Sequence, residues 1–347
     1  MNLLKSNHGF FLFLLLVLAS VLFFLDILLG SVQIPLKSIF NILTHTKIEK
    51  ESWEMIILNN RLPKAIGAIV CGSALSVSGL QMQTLFRNPL AGPYILGISS
   101  GAGLGVAIFI MGISVFGFSF SAYSLLFNYG LLICSFVGSF LVLMILLSAI
   151  YRLKDIMTVL ILGVMLGSIF TSVISVIQYF SFENQLKSFI VWTMGSLNNV
   201  TSQQLYFVLP IIFATLIWSI VISKQFNLYL LGEDYARTLG LNVRNFQLQT
   251  VIITAILSGI VTAYFGPIGF IGIVVPHIAR LISKTSNHFI LVPYSILVGT
   301  NILLFADILT SLPNSETVLP INAITSFIGI PIIIWILFRK AKITNVG

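Results

Sequence analysis

The stretch TVLILGVMLGSIFTSVISVIQYF (158–180) carries no charged residue from end to end. About 20 apolar residues are what a helix rising 1.5 Å per residue needs to cross the hydrocarbon core of a bilayer. A second run, FFLFLLLVLASVLFFLDILL (10–29), is charged only at Asp26. Both read as membrane-spanning helices, because a transmembrane barrel would alternate apolar and polar residues in strands of about ten. The composition agrees: 57% of the 347 residues are hydrophobic, 8% are charged, and the mean hydropathy is +1.05. Such a balance excludes a water-facing surface. The run at 10–29 is expected to be the first span rather than a secretory signal, since it is long and no small-x-small cleavage site follows it.

Ten spans are expected, at approximately 10–29, 65–85, 94–112, 125–150, 156–180, 205–222, 246–265, 268–283, 289–309 and 319–338, making an all-α polytopic membrane protein. With the N-terminus inside, the inner segments hold Lys5, Arg87, Arg152, Lys154, Lys224, Arg237, Arg244, Arg280, Lys284, Arg339, Lys340 and Lys342. The outer ones hold Lys37, Lys47, Lys50, Arg61, Lys64 and Lys187. This asymmetry follows the positive-inside rule, so both termini are expected to be cytoplasmic. A small-residue helix, AIGAIVCGSALSVSGLQMQTLF (65–86), precedes NPLAGPYILGISSGAG (88–103); later, TVIITAILSGIVTAYF (250–265) precedes GPIGFIGIVVPHIARLI (266–282). Two related halves of five spans each would enter the membrane in opposite senses, an inverted repeat. The plainer alternative is that Gly-Pro turns recur between helices.

The net charge of +8 does not point to nucleic acid, because the cations are scattered among apolar spans. Cys71 and Cys134 lie in apolar segments without CxxC spacing and read as packing residues, and no metal-ligand cluster is evident. GISSG (97–101) fits the GxSxG pattern of serine hydrolases, with Ser99 or Ser100 as nucleophile and His277 as the one plausible partner. Its context is helical, however, and Gly97, Gly101 and Gly105 recur every four residues as a close-packing face. No catalytic residue is assigned. With no Gly-Lys pair in the chain there is no Walker A motif, so any ATP must be hydrolysed by another polypeptide. The intramembrane carboxylates, Asp26 and Asp307, lie near the outer ends of their spans, so no midplane proton relay is evident. Sodium coupling through carbonyls stays open, and with it an ATP-independent carrier or channel. Thr171, Ser172, Ser175 and Gln178 form a polar stripe in the fifth span, which suits either a water-lined route or hydroxyl glue between helices.

Between the sixth and seventh spans, LLGEDYARTLG (230–240) concentrates charge in a loop. Leu231, Tyr235 and Leu239 recur at i, i+4 and i+8, predicting a helix over about 233–239 with an apolar stripe. Glu233 and Asp234 suit its N-terminus, Arg237 its C-terminal end, and Gly240 a left-handed cap. A helix lying on lipid headgroups would favour a basic polar face, and this one has two acids beside a single arginine.

Asp234-Tyr235-Ala236-x-x-x-Gly240 resembles the EAA-xxx-G coupling loop of ABC importer permeases. RLPK (61–64), SGLQMQTLFRNPLAGPYILGISSGAG (78–103), GPIGFIGIVVPHIARL (266–281) and LPINAITSFIGIPIIIWIL (319–337) resemble the FecCD-type permeases for iron-siderophore complexes, haem and cobalamin. The resemblance covers nearly the whole chain after the first span. It implies that residues 1–347 form a single permease domain of a bacterial cytoplasmic membrane, paired with a second copy of itself or a close homologue. It further implies two cytoplasmic ATPases that bind ATP and Mg, and an extracytoplasmic substrate-binding protein; this chain would bind no cofactor itself. An iron-siderophore complex is the expected cargo on family frequency, with haem or cobalamin as alternatives. By residue, Gly232, Glu233, Asp234, Ala236, Leu239 and Gly240 would form the coupling helix. Asn88, Leu90 and Met157 match cytoplasmic gate positions, and the fifth-span stripe would face the pathway. Arg61 and Lys64 stand where the family offers two outward arginines to the binding protein, with lysine at the second. Ser311 and Asn322 replace a usual arginine and glycine near the last outer loop, so docking could draw on Lys37, Lys47 or Lys50.

Overall fold

The computed structural model describes residues 8–344, apart from 31, 45, 47–49, 113–124, 154, 199 and 312–318. Lys5, Lys47 and Lys154 lie outside the described residues. In chain order the helices are α1 (His8–Leu28), α2 (Leu36–Leu43), α3 (Glu51–Ile56), α4 (Leu62–Leu85), α5 (Ile98–Ala107), α6 (Leu125–Arg152), α7 (Ile156–Tyr179) and α8 (Glu183–Thr193). They continue as α9 (Ser202–Val221), α10 (Ser223–Leu230), α11 (Glu233–Thr238), α12 (Val243–Phe265), α13 (Ile271–Ser283), α14 (His288–Thr310) and α15 (Ile321–Thr344). Among the described residues, seven helices are long and apolar enough to cross a membrane, and three shorter apolar ones cover 98–112, 271–283 and 321–335. Each of the ten expected spans coincides with one of these.

The short helices start late for a physical reason. Gly97 takes φ +75° and breaks the chain between a turn at Pro93–Leu96 and α5. Gly266 and Phe270 take φ +74° and +67° before α13. Elsewhere side chains fix the starts: Asp155 accepts from the backbone of Met157 and Thr158, Asn242 from Asn245, and Thr201 with Gln204 closes a capping box on α9.

Two helices form the centre. Almost all of α4 and most of α12 are buried, whereas α1 and α7 bury only a few residues each. The central pair are the second and seventh spans, five apart, and each precedes a Gly-Pro turn and a short span. Their correspondence is that of the two echoing sequences. Lipid tails give no hydrophobic drive between helices, so close backbone contact must supply the packing. Glycines permit it: a Cβ at Gly72 would strike the carbonyl of Gly299, and one at Gly299 the carbonyl of Gly72. Gly101 and Gly138 cross reciprocally between α5 and α6, and Gly105 rides on the Cys134 carbonyl. Hydroxyls and amides add interhelical bonds, from Ser76 Oγ to the Ser295 carbonyl at 2.7 Å and from Asn301 Nδ2 to the Leu15 carbonyl at 3.0 Å.

Four helices had no counterpart among the expected elements: α2, α3, α8 and α10. Each is too short to produce a bilayer-length hydropathy signal.

Candidate functional site

The most exposed long helix carries the hydroxyl stripe. Ser168, Thr171, Ser172 and Ser175 on α7, with Tyr94, Gly97 and Ser100 opposite, line a groove of about 480 Å³. Gly163 and Gly167 let the start of α5 approach, since a Cβ at Gly163 would lie 2.9 Å from the Leu96 Cα. Each stripe hydroxyl donates to the carbonyl four residues earlier, at 3.1, 2.8, 3.0 and 2.9 Å in chain order. Their protons are thereby committed, and they present lone pairs to the groove. The wall is weakly polar and poor in donors. Gln178 is half-buried and does not line this groove.

At the opposite end of α4 the chain turns through Arg87, whose φ is +47°. Asn88 Oδ1 accepts from the Leu90 amide at 2.9 Å, and His277 Nε2 lies 2.8 Å from the Pro89 carbonyl. Leu90 is thus held exposed on a braced turn. Met157 is likewise exposed, in the first turn of α7, with its amide on Asp155. His277, the histidine a hydrolase would need, is engaged with that turn, and GISSG straddles the left-handed residue Gly97 and the start of a helix.

The charged loop folds as a closed six-residue helix, α11. Gly232 enters at φ +119° and Gly240 leaves at φ +86°. The Leu241 amide donates to the Ala236 carbonyl at 3.0 Å and the Gly240 amide to that of Arg237 at 3.0 Å, the paired bonds of a Schellman cap. Arg237 pairs with Glu233 at 2.7 Å across one turn. Ala236 is fully buried, while Leu231, Tyr235 and Leu239 are 59%, 58% and 50% exposed. Asp234 is exposed beside them. The predicted apolar stripe therefore faces outward. Next to it, Leu239, Gly240, Asn242 and Gln249 border a second groove of about 320 Å³.

α10 ties this helix to the core. Arg87 donates to the Tyr229 carbonyl at 3.2 Å and lies over the Tyr229 ring, and the Tyr229 hydroxyl donates to the Leu85 carbonyl at 3.4 Å. Burial first, and the Glu233 charge next, push that hydroxyl above its ordinary pKa, so it stays a neutral donor. Asn227 accepts from the His288 amide at 2.8 Å and donates to Asn287 at 2.8 Å, while His288 reaches Thr84 at 2.8 Å. These contacts escape sequence reading because each joins residues far apart in the chain.

Arg61 and Lys64 do not face outward. Both are 7% exposed. Arg61 donates to the carbonyls of Ile27 and Leu28 at 2.9 Å each, and also to Val32. Lys64 Nζ lies 3.1 Å from Asp307 Oδ1 and donates to Ser311 Oγ at 2.7 Å. Charge neutrality inside a membrane was the signal that could have paired them with the two intramembrane acids. Ser311 receives the lysine, and Asn322 staples Gly269, Pro267 and Thr193. Removing Lys64 leaves a buried carboxylate unpaired, at a cost of about 3–5 kcal/mol. Lys64→Met should accordingly lower the thermal midpoint in detergent by at least about 5 °C; an unchanged midpoint would show the pair to be dispensable.

Comparison with known proteins supplies the family. Residues 16–339 match the FecCD transport family. The chain is 36% identical over 336 residues to the hemin transport system permease protein HmuU of Yersinia pestis, covering 96% of each. It is 37% identical over 288 residues to the vitamin B12 import system permease protein BtuC of Klebsiella pneumoniae, covering 83% of each. A solved structure described as an inward-facing conformation of a metal-chelate type ABC transporter superposes with a TM-score of 0.82 at 26% identity, over 95% of this chain and 99% of that one. A match of this extent, on an all-helical fold with seven membrane-length helices among the described residues, makes the chain a multi-pass membrane protein of the FecCD transport family.

Proposed function

We propose that this chain is the permease subunit of an ABC importer for a bulky metal complex, working by alternating access. The observation that carries the reading is α11: a Gly-bounded helix presenting Tyr235 and Leu239 to solvent, fastened through α10 to the turn holding Leu90. Such a helix can receive motion from a cytoplasmic ATPase and pass it to a gate. Gly232, Glu233, Asp234, Ala236, Leu239 and Gly240 are its coupling residues, and Asn88, Leu90 and Met157 the cytoplasmic gate. The α7 hydroxyls form the pathway wall. A span with so little of its surface buried, yet bearing a row of hydroxyls, is poorly suited to lipid alone; it supports a second copy of the chain facing it across the pathway. An extracytoplasmic binding protein delivers the cargo, and ATP and Mg belong to the ATPase. Both termini lie in the cytoplasm of a bacterial cell, by the cation asymmetry.

The cargo is an iron complex, with an iron-siderophore as the first candidate. Haem and cobalamin enter the same test because similar permeases are named for each. Proteoliposomes holding this chain, its ATPase and its binding protein should accumulate one of these three cargoes only when ATP is supplied to the ATPase side. Accumulation that ignores ATP would instead establish an ATP-independent carrier.

A further inference from the structure

Two carboxyl groups meet where α1, α4 and α14 converge. Asp26 and Asp307 are 5% and 1% exposed, and each carboxyl lies near enough for its charge to act on the other. Asp307 Oδ1 is served by Lys64 at 3.1 Å and by the Thr310 hydroxyl at 3.2 Å. The Oδ2 atoms of both aspartates are buried, and no protein donor reaches either. An ionised carboxylate only accepts hydrogen bonds, so two ionised groups so placed repel and leave buried acceptors unmet. A single proton turns one of them into a donor to the other and satisfies both.

The local charges lead to the same count. Arg61 is near enough for its charge to act on Asp26, yet its guanidinium is spent on the carbonyls ending α1, the negative end of that helix dipole. Among the described residues, Lys64 is then the one cation bonded to the acid pair. With one proton, the pair carries a single negative charge against one lysine.

We propose that Asp26 and Asp307 form a proton-binding site, holding one proton between them at neutral pH and thereby tying α1 to α14. The inference does not depend on what the chain transports. The sequence makes it measurable, because the only aspartates are Asp26, Asp155, Asp234 and Asp307. In protein labelled with carboxyl-¹³C aspartate, isotope-difference infrared spectra at pH 7 should contain a protonated-carboxyl band worth about one aspartate in four. The exposed Asp155 and Asp234 supply ionised carboxylates as an internal reference. Asp26→Asn, whose amide can still donate to Asp307, should abolish the band. Absence of the band in the unaltered protein overturns the proposal, and this readout stands even if the variant fails to fold. A band that survives Asp26→Asn, or carboxylate bands that shift when sodium replaces potassium, would equally overturn it.

Discussion

Replacing Tyr235 and Leu239 together by alanine is expected to reduce ATP-coupled uptake by tenfold or more while leaving the permease folded. Both side chains are at least half exposed, so their loss removes little from the core. Their value lies in what they would bury against an ATPase. A tyrosine anchor at a protein interface typically contributes about 2 kcal/mol, which corresponds to roughly thirtyfold in affinity. The measurements are co-purification of the ATPase with the variant and uptake into proteoliposomes under matched ATP hydrolysis. Loss of both identifies α11 as the docking element; retained co-purification and uptake would remove it from that role. Ala236 is the contrasting position, since its fully buried methyl belongs to the base of the helix rather than to its outer face.

The second large effect is on the fold. Gly79→Leu should prevent accumulation of folded protein, because even a Cβ at Gly79 would collide with the Gly272 carbonyl of α13. Backbone cannot step aside as a flexible side chain can. Overpacking of this kind is among the few mechanisms that exceed about 4–5 kcal/mol. Gly103→Ala is the matched control, as the nearest atom to its Cβ would be Ile174 Cδ1 at 3.6 Å, an ordinary contact. Size-exclusion profiles of both variants in detergent decide the matter. A monodisperse Gly79→Leu protein would mean that α4 and α13 do not pack as closely as the structure has them.

The sequence was informative wherever the signal was periodic or local. The seven membrane-length helices were legible from hydropathy, because the hydrocarbon core asks about 20 apolar residues of a crossing helix. α11 was legible too, since an i, i+4 stripe bounded by glycines and headed by acids encodes its own start, face and stop. The central position of the second and seventh spans could be anticipated only as an echo between small-residue helices. Crowding against neighbours, rather than hydropathy, made them the core.

What the sequence determined by itself is therefore the class of molecule, the places of its apolar helices, the close-packing glycines and the protruding charged helix. Each follows from interactions between residues close in the chain, or from the uniform demand of a bilayer. The tertiary structure alone decided the fate of the buried charges and the composition of the groove. Arg61 and Lys64 read as outward cations until Asp26 and Asp307 were brought to the same end of the bundle. Gln178 shares a helical face with Thr171 and Ser175, yet the groove does not extend to it. The physical reason for the first is that a charge inside a membrane is positioned by its partner, and the partner of Lys64, Asp307, stands on a different helix hundreds of residues away.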